Sequence, residues 1–230
     1  MNGLRITLAA GVAAALMCMS LSAHADEERG LSAGVRVGYA FPLGSAYSGR
    51  NLSDLEGGAN PFWFDLGWRF NKNLYVGAFY QFAMTYPPNH SCGVSGGVAQ
   101  SCDGNDQRFG IDAAFHILPT NLVDPWVGLG IGYEFSRINS EQIVGNETSS
   151  TYEGWQIDLQ AGADLRFSKR VPFGPYIDFG MGQFNWETQR DQNGKTLTDA
   201  VPNAPFSGHP NLETSVHEWL TLGLRVQFNL

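Results

Sequence analysis

The chain has 230 residues, with 14 Lys plus Arg against 22 Asp plus Glu (formal net charge −8), 28 glycines, 11 prolines and 13% aromatic residues. So few charges among so many aromatics exclude a disordered chain, and the glycine and proline content argues against a helix-dominated fold. The acidic balance offers no basic surface to a nucleic-acid backbone.

In chain order the first element is a targeting segment. Arg5 is followed by an apolar, alanine-rich run from Ile6 to Leu21 and by Ala23-His24-Ala25, directly before Asp26. This layout predicts a signal peptide over residues 1–25, cleaved between Ala25 and Asp26, ahead of a barrel domain over 26–230. Leu16-Met17-Cys18 lacks the small residues of a lipoprotein signal, so no lipid anchor is expected. The apolar run is shorter than the roughly 20 residues of a spanning helix, and no later stretch reaches that length.

Eight segments of period-2 alternation follow. They are Leu31–Phe41, Phe62–Phe70, Leu74–Tyr86, Arg108–Ile117, Trp126–Ser136, Trp155–Phe167, Tyr176–Trp186 and Val216–Leu230. Each places aliphatic and aromatic residues on one parity and charges on the other, over about the 9–11 residues that a tilted strand needs to cross a bilayer. The seventh loses its pattern at Gln183. Cys92 and Cys102 lie between the third and fourth segments; an even pair in an exported chain predicts a disulfide.

Alternation alone fits a soluble barrel with its apolar face inside as well as a membrane barrel with that face outside. Glycine decides between them. Gly34, Gly38, Gly67, Gly77, Gly110, Gly128, Gly130, Gly132, Gly162, Gly180, Gly182 and Gly223 all share the parity of the charges. Glycine would weaken a solvated strand face but suits a narrow interior, where eight strands leave room for few side chains. The large apolar residues are therefore expected to face lipid. The connections agree: Asn71–Asn73, Leu118–Asp124 and Lys169–Gly174 are short, and Pro42–Pro61, Pro87–Gln107, Arg137–Gly154 and Glu187–Ser215 are long and polar. Alternating short periplasmic turns and long extracellular loops put both chain ends on the periplasmic side. Asn193-Gly194 predicts a hairpin within the fourth loop; Lys195–Val201 is too short and polar for a spanning strand.

The fold class expected is thus an all-β, eight-stranded antiparallel up-and-down transmembrane barrel. On these features the chain resembles the small outer-membrane barrel superfamily typified by the barrel of outer membrane protein A and its stand-alone relatives. The resemblance covers residues 31–230 and rests on pattern rather than on a diagnostic motif. It implies a Gram-negative outer membrane, contact with its lipid and lipopolysaccharide, and recognition of the last strand by the barrel-assembly machinery. Family members usually end in an aromatic residue; here the end is Leu230, with Phe228 two residues earlier.

On the interior parity lie Arg36, Arg69, Arg108, Arg166 and Arg225 against Asp65, Asp112, Glu134, Asp158, Asp164 and Asp178. Five cations nearly match six anions, which predicts a network of paired charges filling the interior. The alternative is a narrow porin-like path for ions or small solutes, gated by breaking one pair. His116 shares this parity, as a hydrogen-bonded structural group or a pH-sensitive gate. Scattered histidines offer no metal-ligand spacing, and neither metal nor cofactor is expected. A lipid-modifying enzyme would need a constellation near the outer leaflet. Ser215 and His217 share a parity, but Glu218 points the other way, so no catalytic residue is assigned. The long loops carry Asp103, Asp106, Glu141, Glu147, Asp191 and Asp199 and are the expected place of contact with an extracellular ligand of unknown kind.

Overall fold

A computed structural model describes residues 29–47, 50–86, 100–142, 147–168, 170–191, 193–200 and 215–230. Eight long strands run antiparallel in chain order: β1 (Gly30–Tyr47), β3 (Gly58–Arg69), β4 (Leu74–Tyr86), β5 (Gln100–His116), β6 (Val123–Gln142), β7 (Glu147–Leu165), β8 (Phe173–Asp191) and β10 (Val216–Asn229). Each pairs with its sequence neighbour, and β10 pairs with β1 from Ser32↔Asn229 to Gly44↔His217, which closes the barrel. Closure leaves no free edge, the condition for strands in hydrocarbon. Two short strands lie outside the wall: β2 (Arg50–Asn51) turns back on the end of β1, and β9 (Thr196–Ala200) pairs with the outer part of β8.

The expected parity holds around the wall. Leu66, Ile111, Leu129 and Leu224 point outward with 56–60% of their surface exposed, while Arg36, Asp65, Arg108, Asp112 and Asp158 on the other face are buried. An apolar belt of this kind is stable only against lipid. Aromatic rings edge it on both sides. Tyr39 lies against Phe41 and Tyr86, and Phe109 and Tyr133 against Phe135, towards the long loops. Phe167 meets Phe173 towards the short turns.

Three differences from the expected pattern have physical causes. First, several strands run well past the alternating segments: β6 and β7 are 20 and 19 residues long. Their outer ends stand beyond the lipid, where a strand has no need of an apolar face. Asp103, Asp106, Glu141, Glu147, Asp191 and Asp199 therefore belong to strands rather than loops. Second, β8 carries a bulge two residues past Gln183, while Gln183 itself keeps the outward parity of Met181. Gly154 pairs with Phe184 and Glu153 with Trp186, so Asn185 is an extra residue and the inward parity of β8 changes there. Third, the interior holds rings as well as charges: Trp63, Tyr75, Phe79, Trp126, Tyr176 and Trp219 are buried on the lumen parity. The glycines admit them, since a Cβ at Gly162 would lie 2.7 Å from the Trp126 ring and one at Gly223 2.7 Å from that of Tyr176.

The hairpin expected at Asn193-Gly194 is present as the turn between β8 and β9, with Gly194 at φ +74°. Of the segment Lys195–Val201, the described residues through Ala200 add no wall strand, because β8 goes on to pair with β10 below them; Val201 lies outside the described residues.

Candidate functional site

The candidate site is the barrel interior, whose side chains fall into three tiers. The tier nearest the short turns is held by strand ends. His116 Nδ1 lies 2.7 Å from Asp124 Oδ2, and Arg166 Nε donates to the same oxygen at 2.9 Å. Arg225 grips Asp164 through Nε (3.0 Å) and Nη2 (2.7 Å), with its guanidinium carbon 3.7 Å from the Trp126 ring centroid. Arg69 donates to Gln227 at 3.0 Å. Guanidiniums of Arg69 and Arg225 face His116 Nε2 at 3.3 and 3.5 Å, so that nitrogen accepts and Nδ1 carries the proton to Asp124. His116, Asp124 and Asp164 come within 4.8 Å of one another, a spacing a metal could use. Both carboxylates are already committed to guanidiniums.

The middle tier centres on Arg36. From β1 its Nε and Nη2 donate to Asp65 on β3 at 2.9 and 2.6 Å. Nη2 also reaches Asp112 on β5 at 2.8 Å, and Nη1 reaches Gln160 on β7 at 2.7 Å. The guanidinium lies 4.7 Å from the Trp63 ring, whose Nε1 donates to Asp65 at 2.8 Å. Asp158 and Asp178 share this depth without a cation of their own. Asp158 Oδ1 accepts from Gln156 Nε2, while both oxygens of Asp178 are buried without a hydrogen-bond partner.

In the outer tier Arg108 donates to Asp106 at 2.9 Å and Glu134 at 3.0 Å, 5.3 Å from the Trp219 ring. His217 Nε2 lies 2.6 Å from Glu134 Oε2 and its ring stacks on Phe184, so it sits inside the lumen, fully buried and away from lipid. Above this tier an apolar cluster of Leu52, Tyr152, Phe184 and Trp219 crosses the bore. Leu52 comes from a single 3-10 turn, Leu52–Asp54, that follows β2 and folds inward; Asp54 Oδ2 accepts from the Asn51 amide at 3.1 Å. Two residues on, Glu56 is buried and accepts from the Ser136 hydroxyl. Burial pushes its carboxyl up to about 7, with Glu134 adding to the rise and the Ser136 hydroxyl and Arg108 opposing it.

All eleven residues expected in the lumen network therefore face the interior, with Arg166 half-buried at the rim. The near balance of five cations and six anions does not survive. Glu56, Asp106 and Asp124 are buried too, so nine carboxyl groups stand against four buried guanidiniums and Arg166. Asp158 and Asp178 are not ion-paired among the described residues, so the expected pairing of interior charges stops short of them. Cys92 and the side chain of Cys102 lie outside the described residues, and so do Ala25 and Asp26.

A closed eight-stranded wall, apolar outside and ionic within, defines an outer-membrane β-barrel. The chain belongs to the outer membrane protein beta-barrel domain family, which it matches over residues 11–230, and its place is the bacterial outer membrane. No curated protein matches. Among solved structures, a major outer membrane protein from Thermus thermophilus is similar in fold, with a TM-score of 0.51 at 11% identity over 86% of this chain and 100% of that one. Neisserial surface protein A gives a TM-score of 0.49 at 14% identity, covering 88% and 99% of the two chains. OprG of Pseudomonas aeruginosa gives 0.44 at 11%, covering 88% and 98%.

Proposed function

We propose that this protein is a closed barrel that acts at its long-loop end, as a structural or surface-interacting component of the membrane, rather than through its lumen. The observation that carries this reading is Arg36, one guanidinium tying β1 to Asp65, Asp112 and Gln160 on three other strands. A cation held by two carboxylates and an amide across the bore supports a filled interior at that depth, as does the small space that eight strands enclose. The apolar cluster around Leu52 supports the same reading at the outer mouth. The surface left for partners is the set of long loops and the β8–β9 ribbon, with lipid and lipopolysaccharide around the wall. Export through a cleaved segment ending at Ala25, a Cys92–Cys102 bridge and delivery by the barrel-assembly machinery through β10 complete the proposal. No enzymatic role is proposed.

A narrow cation path is the second reading, favoured by the excess of interior carboxyl groups over guanidiniums. Planar-bilayer recordings of the refolded barrel separate the two. Insertion without current is the expected result, with folding checked by heat-modifiable gel mobility. Discrete openings that select cations would overturn the closed reading.

A further inference from the structure

Among the described residues Asp158 and Asp178, like Glu56, are interior carboxyl groups with no ion pair. They are diagonal neighbours on adjacent strands: Asp158 of β7 pairs with Gly180 of β8, and Gln160 of β7 with Asp178. Asp158 is fully buried and Asp178 is 1% exposed. The guanidiniums nearest in depth are spoken for, Arg36 by Asp65, Asp112 and Gln160, and Arg108 by Asp106 and Glu134. Taking two carboxylates out of water without a counter-charge is among the most costly arrangements a protein interior can hold. Something must compensate them.

The surroundings have the make-up of a ligand shell. Gln156, also buried, donates through Nε2 to Asp158 Oδ1, which leaves its carbonyl Oε1 with no hydrogen-bond partner. Asp158 Oδ2 and both oxygens of Asp178 are likewise without one. On either side the flanking strands carry glycine. A Cβ at Gly180 would lie 3.0 Å from Asp158 Oδ1 and 3.3 Å from Gln156 Nε2, and one at Gly130 3.2 Å from Asp158 Oδ2. These strands therefore put no side chain of their own over the carboxylate. The unengaged atoms able to ligate a cation are oxygens, from two carboxylates and an amide carbonyl; the one unengaged nitrogen beside them is the amide Nε2 of Gln160, opposite Asp178, which is no metal ligand. Such a set selects a hard cation, and its charge of −2 matches one divalent ion.

We infer that Asp158, Asp178 and Gln156 form a binding site for a divalent hard cation of the calcium class, buried at mid-depth in the lumen. The site is separate from the closed or conducting character of the barrel, since it rests on uncompensated charge and not on the seal at the outer mouth. Because the ion would be enclosed, it enters as the barrel folds.

The test is refolding in lipopolysaccharide-free detergent, with calcium or with chelator, followed by gel filtration in metal-free buffer and metal analysis. The barrel folded with calcium is expected to retain one ion per chain, and to unfold at a higher temperature than the barrel folded with chelator. Asp178→Asn and Asp158→Asn are each expected to lower calcium affinity about tenfold or more and to abolish the calcium-dependent shift. Glu218→Gln, on the outward parity of β10, should leave both readouts unchanged. The wild type decides the matter even if a variant fails to refold. Absence of bound calcium after folding at about 1 mM, the range of the weakest protein calcium sites, would overturn the assignment and leave protons as the compensating charge. Equal retention by wild type and both variants would overturn it too.

Discussion

At the scale of single residues the interior is organised by three arginines, each over a tryptophan ring: Arg36 over Trp63, Arg108 over Trp219 and Arg225 over Trp126. The ring holds the guanidinium's face while carboxylates take its edge, so the fork geometry is used in both directions. Removing such a cation strands its partners. Arg36→Met should cost about 3–5 kcal/mol by leaving Asp65 and Asp112 buried and unpaired, read from urea unfolding in vesicles; Asp65→Asn, which leaves Arg36 its bond to Asp112, should cost less. A loss within error of zero for Arg36→Met would show that water reaches the pair. Most of this network was legible in the sequence, because parity alone picks out every one of its arginines. What was missed falls into two kinds. Asp124 and Asp106 share the parity of Glu134 and Arg108 but sit two residues beyond the alternating segments, and extending those segments would have found them. Glu56 has no such signal, since it reaches the interior by a turn and not by a strand.

At the scale of elements, the number and order of strands and their facing were legible, whereas strand ends were not. Alternation reports contact with lipid, and it stops where the lipid stops although the hydrogen-bond ladder continues. The bulge at Asn185 has no signal of its own in the sequence, since the apolar pattern already stops at Gln183, two residues before the faces of the strand exchange. Glycine was read as vacancy between charges, and the structure gives it a second use as the slot for a ring on the neighbouring strand. Gly162→Ala puts a methyl group 2.7 Å from both the Trp126 ring and the Pro175 carbonyl oxygen. Its expected cost is about 1–3 kcal/mol of overpacking. A second change, Trp126→Leu, should recover part of this in a double-mutant cycle, and strict additivity would mean that the ring is not what the methyl meets.

At the scale of the whole molecule, the turn Leu52–Asp54 packs into the outer end of the barrel, and its docking is expected to depend on pH. Glu56 has a carboxyl raised to about 7 by burial, above the ordinary glutamate value of 4.5 that it regains once the turn is released. A raised value means that the docked turn holds its proton more tightly. Docking is therefore strongest below about pH 4.5 and weakens as pH rises through 7, by on the order of 1–3 kcal/mol in all. Amide hydrogen exchange over residues 52–57, compared at acid and alkaline pH after correction for intrinsic rates, should show protection falling as pH rises. Glu56→Gln should flatten that trend, and an unchanged trend in the variant would place its origin in Glu134 or Asp106.

The wall itself is not level. β5 to β8 are 17 to 20 residues long and β1 has 18, whereas β3 and β4 have 12 and 13; β10 has 14, and β9 pairs with β8 on the same side as β10. Among the described residues the outer rim has a parapet at β5 to β8 and a notch at β3 and β4. Neighbours drifting past in a crowded membrane meet two unlike sides, so a lateral encounter has a compass bearing, and the same barrel can be sociable on one flank and screened on the other.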